Sequence, residues 1–277
     1  MPPRIRFIHH FAHSGSTLLA RALEHPENLI IREPAHLRQL GVSAGAGIPD
    51  VVPPHLRAPL ALSLTMLGKR FSQDSTLIVK GNVPISLLAE AIAEADPGQP
   101  AILLYFPLED YCAAVLRTPG HQSWVERVTH DIALKRDPLV GDIGELTTAE
   151  KAAALWYSMI KRFERLLAKH PNMRSLDANQ LFDRPAETIA AASDLLGAGL
   201  DAQSAEAVAN GPLLSSYSKN PNVPFDNSVR RQLGEKAKSL LADELLAARR
   251  WVEKRSADSQ LPEALDRPLI GKGARLL

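Results

Sequence analysis

An alternation restricts this chain's fold more than any other feature. Short runs rich in branched apolar residues are separated by longer stretches with helical spacing. The runs are "RIRFIHHF" at 4 to 11, "LII" at 29 to 31, "TLIVK" at 76 to 80, "AILLYF" at 101 to 106 and "MRSL" at 173 to 176. Apolar runs of strand length are buried on both faces, and strands separated by helices pair in parallel. The expected class is therefore α/β: a central, mostly parallel sheet of about five strands with helices on both faces. One helix is expected at 17–24, where Leu18, Leu19, Ala22 and Leu23 share a side before Pro26, and another at 84–94, opening on Pro84. Others are expected at about 109–117, 149–169 and 185–196, the last closed by Gly197.

At 277 residues and 45% hydrophobic content the chain can bury a sizeable core, and residues 1–277 read as one unit. Two regions break the alternation. Residues 41–60, rich in Gly and Pro, are expected to form an irregular loop or lid, and residues 118–145 a second lid-like, peripheral insertion. Residues 226–256 read as one or two amphipathic helices packed on the outside, with Asp226 or Asn227 as N-cap.

Composition removes several function classes. Thirty-two Lys and Arg against 31 Asp and Glu leave no field to hold a nucleic-acid backbone, so no nucleic-acid partner is expected. The single cysteine, Cys112, allows no internal disulfide and no Cys-based zinc site, and it fits a reducing compartment. No apolar run approaches the roughly 18 to 20 residues of a membrane span, and the N-terminal stretch lacks the apolar region of a secretory signal. The expected location is the cytoplasm, with no membrane partner.

The chemistry concentrates in "IRFIHHFAHSGSTLLARALEHP" at 5 to 26, an apolar run entering a small-residue turn and then a helix. A strand, a Gly turn and a helix start present unpaired backbone N–H groups and the positive end of a helix dipole, an arrangement suited to anions. Gly15 permits close approach, and Ser14, Ser16 and Thr17 add hydroxyl donors. A plain N-cap needs only one such hydroxyl. Three active-site types begin this way. The nucleotide-triphosphatase loop G-x-x-x-x-G-K-[ST] requires a lysine after its second glycine, and Gly15 is followed by Ser16 and Thr17 instead. The nucleophile elbow G-x-S-x-G has a relaxed copy in "AHSGS" at 12 to 16, but Ser14 follows the first strand rather than a later one. Metal binding by His9, His10 and His13 is not expected, because neighbouring strand residues point to opposite faces.

The third type is the best match. "FAHSGSTLLARALEHPENLIIREP" resembles the 5′-phosphosulfate loop of the sulfotransferase family, a strand running into a Pro-[KR]-[ST]-Gly-[ST]-[ST] turn and a Leu-rich helix, with a Glu further on that corresponds to Glu33. "LIVKGN" with Lys80, "LLYFPLEDYCAAVLR", "ALWYSMIKRFERLL" and "MRSLDANQLFDRPAETIAAASDLLG" are similar to later segments of that family, so the resemblance covers roughly residues 5 to 200. It implies a P-loop-like fold and transfer of a sulfuryl group from PAPS (3′-phosphoadenylyl sulfate) to a hydroxyl or amine, without a metal. His13, Ser14, Gly15, Ser16 and Thr17 would hold the donor, His13 would also stabilise leaving-group charge, Glu33 would be the base and Lys80 would support transfer. The acceptor, a small molecule or a peptide, is not indicated.

Two departures from the family pattern stand out. His13 replaces the usual Lys or Arg, and a histidine supplies charge only when protonated, with an unperturbed pKa of ~6.5. The family's Arg and Ser for the 3′-phosphate fall on Tyr105 or Phe106 and on Ala113 or Ala114. Recognition of that phosphate would have to come from Arg117, or from Lys219 and Arg230. An ATP-dependent phosphotransferase using the same loop, and a binding module without catalysis, are the alternatives. Tyr105 and Phe106 are core candidates that could stack on a base, Trp156 and Phe163 read as core, and Asp177 reads as a strand-end carboxylate.

Overall fold

The structure, a computed structural model, describes residues 5–47, 52–69, 76–217, 220–224, 226–257 and 260–277. Five strands, β1 (Ile5–His10), β2 (Asn28–Arg32), β3 (Thr76–Lys80), β4 (Ala101–Tyr105) and β5 (Met173–Asp177), pair entirely in parallel in the order β2-β3-β1-β4-β5. Ile8 lies in register with Lys80 on one side and Ile102 on the other. Phe7 and Ile8 of β1, Ile78 and Val79 of β3, and Ile102, Leu103 and Leu104 of β4 are fully buried, as two covered faces require.

The connection leaving β1 runs to the β2 edge and the one leaving β4 runs to the β5 edge. The crevice between the C-terminal ends of β1 and β4 is thus the topological switch point, where open α/β sheets bind ligands.

The expected helices are present as α1 (Ser16–Ala22), α6 (Leu108–Leu116), α8 (Thr148–Lys169) and α10 (Pro185–Leu196). A capping box of Thr147 and Glu150 starts α8, and Gly197, at φ 59°, ends α10. The helix expected at 84–94 is split into α4 (Val83–Ser86) and α5 (Ala89–Ala95). Leu87 and Leu88 donate three residues back, to the Pro84 and Ile85 carbonyls, and this tightening breaks the helix.

Residues 41–60 are not one irregular loop. Helix α2 (Ala35–Ala44) runs through Gly41, and α3 (Pro54–Leu67) starts on Pro54. A Cβ at Gly41 would lie 2.0 Å from the Pro84 carbonyl oxygen, so this glycine serves close helix packing rather than a turn. Pro54 occupies the first helical position, where its missing N–H costs nothing.

The 118–145 segment is likewise built into the core. It forms α7 (Pro119–Asp131) and a 3₁₀ turn at Leu134–Arg136, with Val125, Ile132, Leu134 and Val140 buried. Buried Asp137 accepts hydrogen bonds from Ser158 and from Arg162 of α8, and Arg162 also donates to the carbonyls of Ala46 and Gly47. Trp156 and Phe163 are core, with the Trp156 indole donating to the Phe106 carbonyl at 2.9 Å.

Helices α9 (Ala178–Asp183) and α11 (Ala202–Ala209) follow β5, and a short antiparallel pair, β6 (Ser216–Tyr217) and β7 (Asn220–Pro224), precedes α12 (Asn227–Leu240) and α13 (Ala242–Ser256). Asp226 caps α12, accepting from the Val229 N–H at 2.9 Å. The C-terminal tail bonds to the β5 edge at Ser175 and covers it. No helix among the described residues is long and apolar enough to cross a membrane.

Candidate functional site

A cavity of about 840 Å³ opens at the switch point. Its floor is the β1–α1 loop with the ends of β3 and α6, and its walls are one row of α7 and one row of α12.

The loop has an unusual backbone. Ala12, His13 and Gly15 have φ of 77°, 54° and 75°, in the left-handed region that costs non-glycine residues strain. The Ala12 N–H donates to Nδ1 of His10 at 2.9 Å, which fixes the first of these turns. At Gly15 a Cβ would lie 2.9 Å from the Phe182 ring, so any other residue would add strain in φ and displace that ring. No side chain caps α1. The N-cap position is Gly15, which has no side chain to cap with, and the Ser14 Oγ has no partner among the described residues, so a plain N-cap does not account for these residues; Gly15, Ser16 and Thr17 line the cavity at the start of α1.

Ser14 does not line the cavity. Its side chain is buried, with 1% of the residue exposed, and its Oγ has no hydrogen-bond partner among the described residues. A nucleophile elbow needs an exposed hydroxyl next to a base, so that alternative is removed.

His13 does line it, packed against His121 at 4.2 Å between ring centroids and edge-on to Trp124 at 5.5 Å. His10, the second histidine of the strand, lines the same cavity. Burial and the Lys80 ammonium hold His10 well below the usual imidazole range, so the ring is neutral. With Nδ1 accepting, its proton sits on Nε2. His9 stacks on Phe7 on the opposite face, and burial lowers it to about 3. Among the described residues no group of three or more His, Cys, Asp or Glu side chains could hold a metal ion.

Glu33 and Lys80 meet in the cavity. Glu33 follows β2 with φ 52°, and its N–H donates to the Lys80 carbonyl at 2.8 Å. Its carboxylate takes the Lys80 ammonium through Oε1. The Lys80 side chain is 3% exposed and that of Glu33 44% exposed, so the cation is sunk in the wall while the carboxylate stays reachable.

The remaining residues divide. Phe106, Ala113 and Ala114 line the cavity, so the positions matching the family's Arg and Ser present apolar surface. Tyr105 points into the core and does not line it. Arg117, at the end of α6, and Arg230, on α12, both line the cavity, whereas Lys219 lies outside the described residues. Arg230 covers the Phe182 ring at 4.3 Å and donates to Asn179 and Asn227. Asp177, 7% exposed, caps α9 through the Asn179 N–H. Burial raises its pKa to about 6 against that hydrogen bond, with Asp110 and Asp183 adding to the rise.

Sequence reasoning missed the two helical walls. Gly120, His121, Trp124, Arg127, Val128 and Asp131 recur on one face of α7, and α12, read as a purely outer helix, presents Arg230, Leu233, Gly234, Ala237 and Lys238. The three-and-four spacing was visible, but the charged residues interrupting it hid which face turns inward.

No protein-family model matches the chain, and comparison with curated protein sequences gives no match. Two solved structures are similar in shape. The sulfotransferase from Alicyclobacillus acidocaldarius is 13% identical, covering 93% of this chain and 95% of that one, at a TM-score of 0.46. The sulfotransferase domain from the curacin biosynthetic pathway is 15% identical, covering 95% of this chain and 99% of that one, at a TM-score of 0.52. With the parallel order β2-β3-β1-β4-β5 and the left-handed turn after β1, the second likeness leads to one conclusion: this chain has the fold of the sulfotransferases.

Proposed function

We propose that the protein transfers a sulfuryl group from a phosphosulfate nucleotide to a hydroxyl or amine. The observation that carries this reading is the convergence, in one cavity, of an uncapped, left-handed anion loop with the Glu33–Lys80 pair. The fold of the curacin-pathway sulfotransferase domain supports it.

The donor supplies an activated sulfonate on a phosphate leaving group. The first-turn N–H groups of α1, with Ser16 and Thr17, bind its oxyanions, and His13 meets the negative charge that builds on the leaving phosphate. Glu33 accepts the proton of the attacking hydroxyl or amine on the carboxylate oxygen not taken by Lys80. Lys80 fixes that carboxylate's direction and adds positive charge beside the transferring group. For PAPS, the 3′-phosphate would fall to Arg117, one turn beyond Ala113, because the expected positions are apolar. That apolar surface favours a second reading, an ATP-type phosphoryl donor without a 3′-phosphate, which requires Mg²⁺.

Glu33→Gln keeps the side chain's shape and removes its basicity. It is expected to lower acceptor-dependent release of adenosine 3′,5′-bisphosphate by at least about 100-fold, the usual scale for a general base. Donor affinity stays unchanged. Turnover equal to the wild type removes Glu33 from the mechanism.

A further inference from the structure

The charged groups facing the cavity do not cancel one another. Its four carboxylates are all engaged: Glu33 by Lys80, Asp110 by Lys238 at 2.8 Å, Asp131 by Arg38 at 3.6 Å, and Asp226 as the cap of α12. Arg230 is held by Asn179, Asn227 and Asp183. Two guanidinium groups remain, Arg117 and Arg127, and neither has a hydrogen bond or ion pair among the described residues.

The two sit on different helices. Arg117 ends α6, beside Ala113 and Ala114 on the donor side. Arg127 lies on α7 between Trp124, which packs on His13, and Asp131, which ties α7 to Arg38 of α2. Helix α2 begins two residues after Glu33, and the Asp131–Arg38 pair, one turn beyond Arg127, joins it to α7. Both residues are exposed, so each guanidinium can meet a ligand in the cavity without giving up a counter-charge, and its fork matches carboxylate, phosphate or sulfate.

We propose that the acceptor is itself an anion: a hydroxyl- or amine-bearing molecule whose carboxylate or other oxyanion is held by Arg127, with its body against Trp124 and Val128. The proposal deepens the sulfuryl-transfer reading and rests on it. Arg127 would set KM and acceptor choice rather than take part in bond making. The attacking O–H would still lose its proton to Glu33 as the new O–S bond forms and the bond from sulfur to the leaving phosphate breaks.

The test is calorimetric titration of the full chain saturated with adenosine 3′,5′-bisphosphate, using two matched pairs of probes. These are 4-hydroxyphenylacetate with 4-hydroxyphenylacetamide, and glucuronate with glucose, each pair differing in one charge. At least one carboxylate is expected to bind about tenfold tighter than its neutral partner, the scale of a charge-assisted hydrogen bond. Arg127→Gln should erase that preference, and Arg127→Lys should keep part of it, while nucleotide affinity stays the same in both variants. No preference in the wild type, or a preference that survives in Arg127→Gln, overturns the proposal. A carboxylate preference that depends on Arg127 in a protein that binds no nucleotide would leave the anion receptor standing and overturn the sulfuryl-transfer reading instead.

Discussion

Gly15 shows how much one residue of the loop decides. Its φ of 75° strains any other residue, as it does at Ala12 and His13, and an added Cβ would lie 2.9 Å from the Phe182 ring, which would have to shift. Gly15→Ala is expected to lower stability by about 1–3 kcal/mol in a urea melt and to weaken nucleotide binding with it. A variant that keeps wild-type stability and binding would show that the loop's conformation is not what binds the anion. Asp177 carries the pH dependence at this scale. Its folded pKa of about 6 lies above the ordinary 3.8, so the native state holds this proton more tightly than the unfolded chain. Its contribution to stability is full below pH 3.8 and is lost as pH rises through about 6. Asp177→Asn keeps a capping oxygen and removes the buried charge. It is expected to raise stability at pH 8 by up to about 3 kcal/mol and to leave it unchanged near pH 4, as paired denaturation curves would show. Equal effects at the two pH values would contradict the assignment.

The elements were legible where a backbone signal and a burial signal agreed. β3 occupies residues 76–80 and α10 residues 185–196, as their apolar runs and the closing Gly197 predict. Elements were misread where glycine or proline served packing or a helix start, as at Gly41 and Pro54, because sequence alone does not say what lies opposite a missing side chain. The 118–145 segment was misread for a related reason. Its polar residue Asp137 looks like surface, yet it is buried against Ser158 and Arg162. That pairing makes a prediction. Asp137→Ala removes a buried carboxylate partner of the Arg162 guanidinium and is expected to cost about 3–5 kcal/mol in a denaturation experiment. Adding Arg162→Met should recover part of the loss, and a single variant as stable as the wild type would show that the pair does not hold α7's segment onto α8.

At the scale of the whole molecule, the parallel sheet follows from five apolar runs, and the opening turn marks where the site lies. The site's composition was less accessible. Glu33 and Lys80 are 47 positions apart and Arg127 is as far again along the chain, and only the strand order brings them to one cavity. One feature of the loop is not displayed by the sequence: Gly15, and not a hydroxyl residue, stands at the N-cap of α1. Calorimetric titration with adenosine 3′,5′-bisphosphate, AMP and Mg-ATP in parallel tests the central claim most directly. The account predicts that the bisphosphate binds more tightly than AMP, and that the difference falls in Arg117→Gln. Binding of Mg-ATP with none of the bisphosphate would contradict sulfuryl transfer and assign the loop to phosphoryl chemistry.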